Sequence, residues 1–267
     1  MKPFLKWAGN KIQLLSEIEE LVPKTENYIE PFVGGGSVFF HLIDKNPYSY
    51  ICLNDKNSKL MKTYKIVKER PKDLIDELKI LQNNYEKKNY KTQKGIYQRE
   101  RKKFNESTDD LEIASKFIFL NKTCYGGLYR VNDSGEFNTS FLRPKNLDFN
   151  YENILKASKK LENVRLKSVD FKNLDEKIDK NTFFFIDPPY YKQFNSYTKE
   201  ESNLQEILDF CREIDEKNGK FLLCDSSYTK VKRTFSEFNM KKVDVVRRIK
   251  GYKRTKELLI YNYEVIL

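Results

Sequence analysis

Phe183-Phe184-Phe185-Ile186-Asp187-Pro188-Pro189-Tyr190 is the stretch that decides the fold. Four apolar residues in a row are too few for a helix and read as a strand buried on both faces, as in parallel sheets. The two prolines end it, because neither donates a ladder hydrogen bond and the first restricts the backbone of Asp187. An acidic side chain is thereby held at the carboxyl end of an interior strand, with an aromatic ring beside it. In open α/β sheets, ligands bind outside that edge. Taken alone, the same residues also read as a strand-ending turn with an exposed acid.

Working outward from this strand, the chain alternates. Upstream, residues 11–21 have helical apolar spacing. Tyr28-Ile29-Glu30-Pro31-Phe32-Val33 reads as a short strand running into Gly34-Gly35-Gly36-Ser37. A helix over 38–43 and a strand over 50–53, ending at Asn54-Asp55, complete a βαβ pattern with glycines in its first turn. Downstream the expected order is a helix at 151–161, a strand at 164–171, the Asp187 strand and a helix at 203–217. A strand at 221–225 and a helix at 228–238 follow. Strands at 243–246 and 258–263 close the chain as an antiparallel pair around a basic loop, 247–256. Between the two halves, residues 57–144 change character. Lysine-rich helical segments at 58–69, 72–86, 93–106 and 110–122 lead into a hairpin signature around Gly135. The expectation is an α/β sheet domain built from residues 1–56 and 145–267, interrupted by a mostly helical domain at 57–144 that carries a β-hairpin.

Charge is unevenly spread. The chain of 267 residues has 50 basic and 39 acidic residues, a net +11. Residues 57–144 contain 19 basic and 12 acidic residues, so +7 of that excess lies in a third of the chain. A localised basic excess points to a polyanion such as nucleic acid, with solvated helix faces as the plain alternative. No apolar run approaches the roughly 20 residues that span a bilayer, and the start reads as no signal peptide. The 4 cysteines are scattered and His41 is the only histidine. That argues against a zinc site or a histidine-based triad and for a reduced, intracellular protein.

The glycine turn Phe32-Val33-Gly34-Gly35-Gly36-Ser37 lets backbone approach a ligand closely, since glycine lacks a Cβ and accepts positive φ. It lacks the Lys-Ser/Thr pair of a triphosphate loop and the dinucleotide spacing, so a small organic ligand fits better. Asp55 ends the next strand, where a carboxylate can accept from both hydroxyls of a ribose. It also reads as the N-cap of the helix at 58–69.

Together these residues resemble the DNA N6-adenine methyltransferases of the Dam type, over nearly the whole chain. The resemblance rests on Phe4-Leu5-Lys6-Trp7-Ala8-Gly9-Asn10-Lys11, Glu30-Pro31-Phe32-Val33-Gly34-Gly35-Gly36-Ser37-Val38-Phe39 and Leu53-Asn54-Asp55. It continues with Asn121-Lys122, Gly127-Leu128-Tyr129-Arg130-Val131-Asn132, Gly135-Glu136-Phe137-Asn138 and Asp187-Pro188-Pro189-Tyr190. Their order is that of the family's α group. Asn10 and Gly126 depart from a usual glycine and asparagine, and Ser140 from a common proline, which bears on the recognition sequence.

The resemblance implies a Rossmann-like sheet dependent on S-adenosylmethionine, with no metal. Phe32, Gly34, Gly36 and Ser37 would cradle the cofactor, Asp55 would take its ribose, and Trp7 and Lys11 would close over it. Asp170 and Phe171 are candidates for its adenine. On the residues alone, Trp7 also reads as a core anchor, Lys11 as a solvated start-of-helix lysine and Asp170 as a surface cap. Asp187 and the Pro188 carbonyl would each accept an N6–H of the target adenine, and Tyr190 would stack on the flipped base. For DNA, the resemblance points to Arg130 on a guanine, Leu128 on a thymine methyl, Tyr125 in the space of the flipped base and Lys6 near the target. Asn132 and Ser140 belong to the same element. Lys122, Arg143, Arg247, Arg248, Lys253 and Arg254 would hold phosphates. The expected substrate is double-stranded DNA, with GATC suggested by the Leu128–Arg130 element. A separately acting restriction endonuclease as companion, a monomeric state and a cytoplasmic location in a bacterium or phage host complete the expectation. An adenine-N6 enzyme acting on structured RNA, a cytosine-N4 enzyme and a catalytically silent DNA-binding protein are the alternatives.

Overall fold

The computed structural model of the chain describes residues 1–189, 204–248 and 252–265. It comprises two compact units. One is Met1–Asn10, Gly34–Gly36 and Asn57–Ser168; the other is Lys11–Val33, Ser37–Lys56 and Val169–Leu267.

The helical unit contains α3 (Ser58–Glu69), α4 (Pro71–Tyr85), α5 (Tyr90–Glu106), α6 (Asp110–Thr123) and α7 (Tyr151–Leu161). Their starts follow from capping chemistry: Asn57, Asn89, Asp109 and Asn150 each accept a hydrogen bond from a first-turn N–H of the helix that follows. Pro71 opens α4 at a position whose N–H has no helical partner in any case. The apolar sides meet in a core that includes Tyr64, Leu78, Phe104, Phe117 and Phe119, each 2% exposed or less. Burial of one such ring stabilises by about 1.5–3 kcal/mol. After α6 the chain forms the expected hairpin, but as two isolated bridges, Cys124 with Phe141 and Val131 with Phe137. Gly135 turns it at φ +79.

Strand order is β3-β2-β1-β4-β5-β7-β6, with β1 (Asn27–Glu30), β2 (Tyr50–Asn54), β3 (Val164–Lys167), β4 (Thr182–Ile186), β5 (Lys220–Ser226), β6 (Asn239–Arg248) and β7 (Tyr252–Tyr261). β1 runs parallel to β2 and β4, and β4 parallel to β5, while β7 is antiparallel to both its neighbours. The order reverses between β1 and β4, which makes their carboxyl ends the switch point where such sheets bind ligands. β4 is buried along its whole length, as its phenylalanines require. Ile207, Cys211 and Ile214 of α8 (Leu204–Glu216) join Phe184, Leu223 and Ile260 in one apolar cluster. All four cysteines are free and buried. Among the described residues no helix is long and apolar enough to cross a membrane.

Several boundaries differ from expectation. β1 stops at Glu30 because Pro31 has no N–H; Val33 N–H instead bonds the Asn54 carbonyl at 2.9 Å. β3 stops at Lys167, and the following segment is held by the Asn54 side chain. The segment 11–21 opens as a 3-10 turn before α1 (Leu15–Leu21), and α2 (Phe39–Leu42) and α9 (Thr229–Thr234) are shorter than the spacing suggests. The closing arms are longer, since Arg248 still pairs with Tyr252, so most of the expected basic loop is strand.

Candidate active site

In the sheet unit, Asp187 follows the last residue of β4 at the switch point. Its carboxylate meets the Lys11 ammonium at 2.6 Å, and the lysine side chain is only 3% exposed. The solvated reading of Lys11 is therefore incorrect: the backbone at Lys11 is fixed by its N–H donating to Ser37 Oγ at 3.1 Å. Burial pushes the Asp187 carboxyl up to about 6, against the pull of Lys11. Burial works against the ammonium too, yet the charges of Asp187 and Glu257 leave its pKa raised. A buried lysine thus keeps its proton because it faces acids.

Glu30 and Asp225 belong to the same neighbourhood and are absent from the sequence-derived site. Glu30 ends β1, accepts a hydrogen bond from Tyr28 Oη at 2.7 Å, and is held well above the usual carboxylate range by burial. Asp225, 1% exposed near the end of β5, accepts from Ser226 Oγ at 3.0 Å, while its second oxygen is buried without a hydrogen bond. Burial lifts its pKa to about 6, with the charge of Asp187 adding to the shift. Phe221-Leu222-Leu223-Cys224-Asp225 repeats the strand-then-acid pattern of β4, so the signal for Asp225 was available in the sequence. No group of three or more His, Cys, Asp or Glu among the described residues could hold a metal ion.

One side chain organises the neighbouring strand ends. Asn54, fully buried, donates to the carbonyls of Pro31 and Val169 and accepts from Val169 N–H, each at 3.0 Å. It brings the segments of Phe32 and Phe171 together, and their rings lie 5.2 Å apart. Asp170 accepts from Lys172 N–H at 3.1 Å and so caps a short 3-10 turn, the surface-cap reading. The N-cap of α3 is Asn57, which removes that alternative for Asp55.

In the helical unit, Gly34 and Gly36 adopt φ +48 and +72, in the left-handed region that glycine tolerates. A Cβ on Gly34 would lie 2.6 Å from the Trp7 indole, and one on Gly35 2.8 Å from Trp7 Cβ. The indole therefore lies directly against the turn, and Tyr64 Oη donates to the Gly34 carbonyl at 3.1 Å. Trp7, half-buried, also stacks with Tyr129 and Phe117, ring centroids 5.9 and 6.3 Å away, which agrees with the core-anchor reading.

On the hairpin, Tyr125 is 61% exposed and Leu128 half-buried. Arg130 is folded back: its Nε donates to Asn138 Oδ1 at 2.7 Å and a terminal nitrogen to the Asn138 carbonyl at 3.2 Å. Asn132 is engaged in the turn, accepting from the N–H groups of Ser134 and Glu136. Burial, then the nearby Lys6 charge, lowers the Lys122 pKa. Ser140 and Arg143 are exposed. Tyr190 lies outside the described residues, as do the side chains of Arg247, Arg248, Lys253 and Arg254.

A mostly parallel sheet with a glycine turn after β1 and a lysine-paired carboxylate after β4 has the architecture of a Rossmann-like fold. Comparison of the chain with known proteins makes the family specific. Residues 7–249 match the model of the D12 class N6 adenine-specific DNA methyltransferases, and the chain belongs to that family. It is 41% identical over 287 residues to the type II methyltransferase M.MjaIII of Methanocaldococcus jannaschii, covering 98% of this chain and 99% of that one. It is 29% identical to the type II methyltransferase M1.LlaDCHI of Lactococcus lactis subsp. cremoris, covering 98% and 96%. It is 31% identical to the DNA adenine methylase of Haemophilus influenzae, covering 93% and 87%. The enzyme is thus an S-adenosylmethionine-dependent DNA adenine-N6 methyltransferase, and DNA is its substrate.

Proposed function

We propose that the enzyme methylates adenine within GATC in duplex DNA, and that Asp187 is the residue on which the chemistry turns. The observation that carries the catalytic assignment is the half-buried Asp187 carboxylate, fixed by the buried Lys11 at the switch point. An adenine amino group is a poor nucleophile because its lone pair is delocalised into the ring. Asp187 and the Pro188 carbonyl each accept one N6–H, which returns electron density to the nitrogen. Tyr190 stacks on the base, which has to leave the duplex to be reached. Positioning and fixed charges supply the rest.

The cofactor supplies an electrophilic methyl on a sulfonium. The residues fit it: in a turn of three buried glycines, Gly34 and Gly36 take positive φ, and the absence of a Cβ on Gly34 and Gly35 lets Trp7 lie against the turn as an apolar wall. We assign Phe32, Gly34, Gly36, Ser37, Trp7, Lys11, Asp55, Asp170 and Phe171 to its binding. Residues 57–144 form the DNA-recognition domain in this reading, with Lys6, Tyr125, Leu128 and Arg130 at bases. Lys122, Arg143 and the basic arms of β6 and β7 hold phosphates, and the enzyme acts as a monomer.

Two measurements test it. Asp187→Ala is expected to abolish methyl transfer while duplex binding stays within about threefold, a change of under 1 kcal/mol; retained turnover rejects the assignment. Incubated DNA is expected to resist a methylation-sensitive nuclease at GATC, and unprotected GATC rejects that site.

A further inference from the structure

Asn121, in the last turn of α6 and 4% exposed, joins two distant segments with one amide. Its Oδ1 accepts from Lys6 N–H at 2.9 Å. Its Nδ2 donates to the carbonyls of Lys6 and Gly127, both at 2.9 Å. Lys6 lies 115 residues earlier in the chain, and Gly127 is at the root of the hairpin. The two segments touch without slack, since a Cβ on Gly127 would fall 2.8 and 2.9 Å from the Lys6 side chain. Gly127 sits at φ +68, so any other residue there is strained as well.

Lys6 is followed by Trp7, whose indole lies against Gly34 and stacks on Tyr129. Tyr129 is two residues beyond Gly127. The chain therefore runs through a closed ring of contacts: Asn121 to Lys6, Trp7 to Tyr129, and Gly127 back to Asn121. One side of that ring faces the glycine turn and the other carries the base-reading loop. Neither segment can shift without opening a buried amide, which leaves carbonyls unpaired.

We propose that Asn121 is a positioning residue that locks the Lys6–Trp7 segment to the hairpin, so that cofactor and target DNA raise each other's affinity. The inference rests on assigning Trp7 to the cofactor and the hairpin to DNA. Two ligands that order the same rigid element are coupled, and the coupling is reciprocal. Cofactor on Trp7 fixes the hairpin root, and duplex on the hairpin fixes the indole over the turn.

Trp7 is the only tryptophan, so its emission reports directly on the glycine turn. The experiment titrates the full chain with S-adenosylhomocysteine, which cannot turn over, alone and with a saturating duplex that the enzyme methylates. In the wild type the duplex is expected to tighten S-adenosylhomocysteine by about fivefold or more, the usual lower range of such coupling. Asn121→Asp keeps the acceptor but loses both donations. Gly127→Ala disturbs the same contact from the opposite side, and it decides the question if the first variant does not fold. In either variant the gain is expected to fall below about twofold, while affinity without DNA stays within about twofold of wild type. A wild type without gain, or variants that keep it, overturns the inference alone. Wild-type emission that ignores S-adenosylhomocysteine overturns the Trp7 assignment, and the inference with it.

Discussion

At the scale of the residue, two opposing forces meet at Asp187. Burial favours the neutral acid, and Lys11 favours the ion; the balance leaves its pKa at about 6. The ionised form is much the stronger acceptor for an N6–H and carries the charge that polarises the amine, so the rate of methyl transfer should be flat above pH 7. Below about pH 5 it should drop roughly tenfold per unit. Single-turnover rates across pH 4.5–8.5 check this. Removing the ammonium removes the force that lowers the pKa, so Lys11→Met should move that acidic limb to higher pH. A limb that stays in place would mean the group titrating is not Asp187. The strand and its terminal acid were legible because four apolar residues and two prolines are local signals. Lys11 was legible only as a motif position: its partner is 176 residues away, and nothing in the local spacing announces that contact. Glu30 was in plain view within Glu30-Pro31-Phe32, but a carboxyl whose pKa is raised by burial, with a tyrosine of the same strand donating to it, has no local signature.

At the scale of the element, the glycine turn is shaped by what lies on it. Gly34→Ala would place a methyl 2.6 Å from the indole at a φ of +48, so the turn or Trp7 has to move. The strain alone costs about 1–3 kcal/mol. The variant is expected to melt earlier and to bind S-adenosylhomocysteine at least about tenfold more weakly, a loss of 1.4 kcal/mol or more. Isothermal titration alongside a thermal melt reads both. Helices α3 and α7 follow their sequence spacing to the residue because apolar period and Asn caps agree. The arms of β6 and β7 run past their apolar centres because backbone pairing continues between Val246 and Arg254 and between Arg248 and Tyr252. Lysine and arginine there mask a strand whose hydrogen bonds do not depend on side-chain polarity.

At the scale of the whole molecule, the proposed DNA-recognition role of residues 57–144 rests on the +7 they carry. Duplex binding should weaken linearly in log affinity against log salt, with a slope of roughly −0.9 per neutralised phosphate. Arg143→Ala should reduce that slope by about 1 and leave the preferred sequence unchanged. Fluorescence anisotropy between 50 and 200 mM KCl would show it, and an unchanged slope removes Arg143 from the phosphate contacts. The fold class was legible because alternating strands and helices give a parallel sheet whatever interrupts them. The compact units were less so. Met1–Asn10 and Gly34–Gly36 cluster with the helices through contacts such as Tyr64 to Gly34, which no composition shift marks.

The four cysteines described above are 4% exposed or less, and burial holds Cys124, Cys211 and Cys224 in the thiol form. Maleimides react with accessible thiolates, so the native enzyme should be inert to them under folding conditions. A single cysteine introduced on the exposed loop at Ser134 would then take one dye without stripping the native sulfurs. That gives a direct optical handle on the tip of the hairpin, to be read as duplex is added.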